Sequence, residues 1–99
     1  MSYTANWTDE SKITLNENIE HLSKTWNLST INDFLDRVDE VVENIESNPK
    51  LYPVYRKKDK VHKCVVNKHI TLYYKIVSAS KIDLITFWNT HKDPEQLKV

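Results

Sequence analysis

Apolar side chains at Ile31, Phe34, Leu35, Val38, Val41, Val42 and Ile45 fall on one stripe of an α-helix, the cleanest periodicity in the chain. The stripe predicts a long amphipathic helix with Ser29 or Thr30 as its N-cap. It ends at Asn48, because Pro49 disfavours helical geometry in the residue before it. Upstream, Ile13, Leu15, Ile19, Leu22 and Trp26 recur at mainly helical spacing and predict a helix over 9–26. Thr8 suits its N-cap, and Asp9 and Glu10 suit its first turn, where the helix dipole favours acids. Only Asn27-Leu28 joins the helices, so they must run antiparallel as a hairpin. At the start, Tyr3, Ala5 and Trp7 alternate with Thr4, Asn6 and Thr8 as in a short strand.

Beyond Pro49 the pattern changes. The stretch LYPVYRKKDK has no period and reads as a loop. VHKCVV, ITLYYKIV and KIDLITFW are rich in β-branched and aromatic residues, and the turns Asn67-Lys68-His69 and Ser78-Ala79-Ser80 join them. Such short connections make an antiparallel meander. Leu72, Tyr74 and Ile76 lie on one parity, Tyr73 and Val77 on the other. One sheet face therefore packs on the helices, and the other is partly apolar and partly cationic. Tyr73 and Tyr74 must point to opposite faces, one into the core and one onto the open face, where a ring could stack on a base. The predicted order is β-α-α-β-β-β: an α+β fold with a helical hairpin on one face of a small, mainly antiparallel sheet.

The chain has 99 residues, the size of one domain, and its 39% hydrophobic and 28% charged content is that of a globular protein. It has 0 glycines, which excludes a glycine-rich phosphate loop. No apolar run approaches the ~20 residues that cross a bilayer, so no membrane contact is expected. MSYTANWTDE lacks the basic and apolar regions of a secretory signal, and a cytoplasmic location is expected. Cys64, in KCVV, reads as a small buried hydrophobe rather than a reactive thiol. The histidines at 62, 69 and 91 form no tight ligand motif, so neither metal nor other cofactor is expected.

The formal net charge of 0 hides a split. Residues 1–48 carry ten acids against three bases, a balance of −7, and residues 49–99 carry eleven bases against four acids, a balance of +7. The halves are either two solvated faces of opposite sign or one face for polyanions and another for something else. Arg56, Lys57, Lys58 and Lys60 form the strongest electrostatic footprint. His91 and Lys92 emerge together where the last strand ends in Asn89-Thr90, just before Asp93-Pro94. They are a solvated turn or a site for something negatively charged.

In order, spacing and length, the segments YTANWTDES, FLDRVDEVVENIESNP, HKCVVNKHITLYYKI and KIDLITFWNTHKDPEQL resemble the RelE/ParE superfamily of bacterial type II toxin–antitoxin (plasmid stabilisation) toxins. The resemblance runs over nearly the whole chain. It implies a small cytoplasmic growth inhibitor silenced by a cognate antitoxin. RelE-like relatives cleave mRNA in the ribosomal A site; ParE-like relatives poison DNA gyrase without a nuclease site. A third class of reading is a non-toxic relative that acts only as a binding module. On the nuclease reading the resemblance casts His91 as the acid/base, with Lys63, Arg56 and Lys92 on phosphate. Lys57, Lys58, Lys68 and Tyr73 would then complete an RNA-binding surface. His91 as an exposed turn histidine and Lys63 as a solvent-face lysine are the structural alternatives. The chain departs from RelE-like patterns in having one arginine in its basic half, no tyrosine after Tyr74, and Asp59 as the only acid of the basic loop.

Overall fold

The computed structural model describes residues 3–97. Strand β1 (Thr4–Trp7) leads into helices α1 (Asp9–Leu22) and α2 (Leu28–Ser47). Strands β2 (Val54–Arg56), β3 (Val61–Val65), β4 (Ile70–Ile76) and β5 (Lys81–Asn89) follow, then a 3₁₀ turn at Pro94–Gln96. The sheet order is β1-β5-β4-β3-β2, antiparallel except for the parallel pair β1 and β5. The α+β class and the helical hairpin agree with the sequence reading, and three details differ.

First, α1 ends at Leu22, not at Trp26. Ser23 Oγ donates to the Glu20 carbonyl at 2.7 Å and Thr25 Oγ1 to that of Leu22 at 3.3 Å, side-chain bonds that compete with helix continuation. Second, the N-cap of α2 is Asn27, not Ser29 or Thr30. Its Oδ1 accepts from both the backbone N–H (2.8 Å) and the hydroxyl (2.9 Å) of Thr30. Third, the stretch read as a loop contains β2, so four strands follow the helices. β2 is a three-residue edge strand, exposed throughout and irregular in register, so it carries no burial pattern.

One face of α2 buries Phe34, Val38, Val41, Val42 and Ile45 against Cys64, Ile70, Leu72, Tyr74, Ile82, Leu84 and Phe87 of the sheet. This apolar burial is the main stabilising term of the fold. Trp7 stacks on Phe87 with ring centroids 5.7 Å apart, and Trp26 packs edge-on against Phe34 at 6.2 Å, so both tryptophans border the core.

Helix α1 works differently, since its buried residues include the polar Ser11 and Asn18. β1 ends at the pair Trp7↔Leu84, which leaves the rest of that edge of β5 unpaired. α1 covers it. Thr8 Oγ1 donates to the Leu84 carbonyl at 2.6 Å, Thr14 Oγ1 accepts from the Phe87 N–H at 3.0 Å, and Asn18 Nδ2 donates to the Phe87 carbonyl at 2.8 Å. Helix side chains thus complete the hydrogen bonding of an otherwise open strand edge. Thr8 also caps α1 by accepting from Ser11 N–H at 3.1 Å. Thr8→Ala should therefore cost about 1–2 kcal/mol in urea unfolding, with Thr8→Ser recovering most of it. An alanine variant as stable as the parent would remove this role.

Candidate functional site

The register of β3, β4 and β5 sets out the sheet face turned away from the helices. Lys63, Tyr73 and Thr86 form one cross-strand row, and Val65, Thr71 and Trp88 the next. Tyr74 is the core tyrosine: it is fully buried, its hydroxyl donates to the Pro49 carbonyl at 2.7 Å, and its ring stacks on His62 at 5.3 Å. Tyr73 is the open-face tyrosine. The residue is only 8% exposed, and Tyr55 packs edge-on against its ring at 4.9 Å. Tyr55, 43% exposed, is therefore an aromatic available to a base beside Lys63, and the half-buried Trp88 is another, one row further along. Tyr55 escapes a sequence reading because it lies in an aperiodic segment.

The cationic residues divide into separate groups. Arg56 is held by Asp59 in an exposed ion pair at 2.7 Å on the sheet edge, with Lys57 and Lys58 in the adjoining turn. Lys63 stands exposed in mid-strand. His91, Lys92 and Lys68 lie at the far end of the sheet. Thr86, in the Lys63 row, lies three strand residues, about 10 Å, before the end of β5 at Asn89, and His91 is in the turn beyond it. Lys63 and Arg56 are thus not gathered around His91.

What does gather there is different. The turn 67–69 and the turn after β5 are joined by Thr90 N–H to the His69 carbonyl at 2.8 Å and Thr90 Oγ1 to the Lys68 carbonyl at 3.3 Å. His69 Nδ1 and His91 Nε2 share a hydrogen bond of 3.0 Å. Trp26 also packs against the His69 ring, with centroids 5.7 Å apart. Asn89 Oδ1 accepts from the His91 N–H at 2.9 Å and fixes the turn, and Lys92 Nζ lies 5.6 Å from the Trp88 ring centre as a cation–π contact. His91 and Lys92 open onto a cavity of about 380 Å³ shared with Glu17, Asn18 and His21 of α1. His69, read from sequence as part of a turn, is the direct partner of His91. Glu17, from the acidic half of the sequence, brings a carboxylate to this cavity.

A hydrogen bond between two imidazole nitrogens holds one proton. If His69 Nδ1–H donates, His91 Nε2 accepts and its Nδ1 bears a proton; if His91 Nε2–H donates, its Nδ1 is a free base. Passing between the two states moves the shared proton across the bond, takes a proton off His91 Nδ1 and places one on His69 Nε2, so His91 Nδ1 can serve as a donor in one state and as an acceptor in the other.

Other titratable groups serve the fold. Burial raises the Tyr74 hydroxyl far above its ordinary 10.0, helped by the neighbouring Cys64 and Tyr52. Burial likewise raises Tyr73, Tyr52 and the Cys64 thiol, in keeping with Cys64 as an inert core residue. An unfolded chain ionises its tyrosines near pH 10, whereas the folded chain keeps Tyr74 protonated. Its contribution is therefore fully present below pH 10 and is lost as pH rises above that value. Urea unfolding at stepped pH should show stability falling above pH 10, and Tyr74→Phe should flatten the fall. An equal slope in both proteins would contradict it.

Among the described residues, no group of three His, Cys, Asp or Glu side chains is placed to hold a metal ion, and no helix is long and apolar enough to cross a membrane.

Neither a family model nor a curated protein matches this sequence. Solved structures do. A chain of the chromosomal ParDE TA system from P. aeruginosa superposes with a TM-score of 0.72 at 10% identity, over 89% of this chain and 96% of that one. The fold is that of the RelE/ParE toxins. The YoeB/ParE toxin from Agrobacterium tumefaciens gives 0.61 at 10% identity over 89% of this chain and 99% of its own. A copper-bound mutant toxin from Helicobacter pylori gives 0.54 at 13% identity, over 91% and 96%. The RelE/ParE-like core thus spans nearly the whole chain.

Proposed function

We propose that this protein is the toxin of a type II toxin–antitoxin pair and stops growth by cleaving mRNA on the ribosome. The toxin half of the reading is supported by the shared fold and its near-complete coverage of ParE and YoeB/ParE toxins. The partner it implies is a cognate antitoxin.

The observation that carries the chemical half is the His69–His91 hydrogen bond at the mouth of a cavity that also holds Lys92 and Glu17. In such a cleavage His91 takes the proton of a ribose 2′-OH. The 2′-oxygen then forms a bond to phosphorus as the bond to the 5′-oxygen breaks, and an acid returns a proton to that leaving oxygen. Lys92 supplies positive charge to the phosphorane. The need for a 2′-OH confines the reaction to RNA. Lys63, Arg56, Lys57, Lys58, Lys68 and the Tyr55–Tyr73 pair, dispersed over the sheet and its edges, fit a long RNA contact better than a single phosphate.

A second reading, a non-enzymatic inhibitor of DNA gyrase, is favoured by the better superposition on the ParDE chain, a TM-score of 0.72 against 0.61. Pulse labelling after induced expression in bacteria separates the two. The nuclease reading expects protein synthesis to fall first, with new mRNA 5′ ends. A prompt fall in DNA synthesis while translation continues would replace it with the gyrase reading. Loss of neither would remove the toxin reading.

A further inference from the structure

At the opposite end of the sheet from His91 lies an open cavity of about 550 Å³, bordered by the β2–β3 turn, the β4–β5 turn and the segment after α2. Three lysines, Lys50, Lys57 and Lys60, line it. None makes an ion pair among the described residues, whereas the nearby Arg56 is neutralised by Asp59. Lys60 holds a left-handed backbone (φ 57°) at the tight β2–β3 turn. Apolar wall is supplied by Val54 and Ile76.

The deepest polar group is His62, only 6% exposed and stacked on Tyr74. Its Nδ1 lies 2.8 Å from the Tyr52 carbonyl, which can only accept, so Nδ1 carries a proton. Nε2 is then the acceptor of the neutral ring. It has no hydrogen-bond partner among the described residues, yet no buried side-chain nitrogen is left unpartnered, so it retains access to the cavity that His62 lines. An oriented acceptor on a largely buried residue, in a cavity also lined by three lysines without ion-pair partners among the described residues, is more than a solvated basic surface.

We infer that this cavity binds a phosphate monoester carrying a heterocycle, either a free mononucleotide or the phosphorylated end of an RNA strand. Three lysines match the charge of about −1.5 to −2 on a phosphate monoester at neutral pH better than that of one carboxylate. The volume exceeds what a bare phosphate fills and lies in the range of about 300–1,000 Å³ typical of small-molecule sites. His62 Nε2 accepts from a ring N–H or exocyclic amine, while Val54 and Ile76 cover the flat face of the heterocycle. The seven-residue strand β4 separates this site from the His69–His91 pair by about 20 Å, so it does not depend on the nuclease reading.

The test is calorimetric and NMR titration of the full chain at low ionic strength. The probes are adenosine 5′-monophosphate, inorganic phosphate, and an RNA trinucleotide with either a 5′-phosphate or a 5′-hydroxyl. Saturable binding is expected, with the His62 ring nitrogen resonances shifted. Lys50→Glu/Lys57→Glu should weaken it tenfold or more, and His91→Ala should leave it unchanged. Both lysines are exposed, and unchanged amide spectra away from the cavity check that the double variant folds. Binding of the monophosphate identifies a free nucleotide as a source; binding of the 5′-phosphorylated trinucleotide alone identifies an RNA end. No saturable binding of either phosphorylated probe overturns the proposal. So does binding that survives the double charge reversal, equal affinity for inorganic phosphate, or equal affinity for the 5′-hydroxyl RNA.

Discussion

His91→Ala should lower RNA cleavage by about 10²–10⁴-fold, the usual contribution of a positioned acid or base, and relieve growth inhibition accordingly. The fold should not suffer. The His91 side chain is exposed, and among the described residues it hydrogen-bonds only to His69, so removing it opens no core cavity. The loss belongs in kcat, because the imidazole acts on protons moved in the transition state. His69→Ala tests the pair rather than the residue. As a positioning residue, His69 should cost roughly tenfold, about the 1.4 kcal/mol of one hydrogen bond, and should shift the pH–rate profile. Lys63→Ala, one cross-strand row with Tyr73 and far from His91, should act on binding and salt dependence more than on kcat. Full cleavage by His91→Ala, alongside a collapse in Lys63→Ala, would move the chemistry to the middle of the sheet.

The helical hairpin was legible because α2 buries a continuous stripe, and a stripe is a property of the sequence. The three central strands were legible from their composition and short turns. Other features depended on partners distant in the chain. β2 exists because it lies beside β3, and its three residues have no period of their own. The stop of α1 follows from serine and threonine hydroxyls competing for carbonyls, a local contest that hydrophobic spacing does not register. Which of Tyr73 and Tyr74 enters the core is set by the register of β4 against β3 and β5, and adjacent apolar residues give no parity to choose by. The candidate site divides in the same way. His91 and Lys92 stood out by position at a strand end. His69 joins His91 across 22 residues, and Glu17 reaches their cavity only because α1 seals the edge of β5. The acidic half of the sequence therefore contributes to a site that charge segregation alone assigns to the basic half.

Phe87→Ala should be the most damaging core substitution for both stability and site, at about 3–5 kcal/mol. Phe87 is 1% exposed and stacks on Trp7, so its loss leaves a cavity between β1, β5 and the helices. Domains of this size hold roughly 5–15 kcal/mol in all, so a large share of the margin goes with one ring. The main chain of Phe87 is also where α1 grips β5, through Thr14 Oγ1 and Asn18 Nδ2. Two residues later Asn89 sets the turn that carries His91. Loosening Phe87 should therefore disorder the His69–His91 pair before the fold is lost. Urea unfolding should show a lower midpoint with little change in slope. Ring-nitrogen spectra of His69 and His91 should show their coupling broken in native buffer. Asn18→Ala makes the complementary test, since it leaves the Phe87 carbonyl without that donor and should cost about 1–3 kcal/mol. The two substitutions act on one strand edge, so their sum should exceed the cost of the double variant. Strict additivity would mean that α1 and the core hold β5 independently, and that the site at its end is not anchored through Phe87.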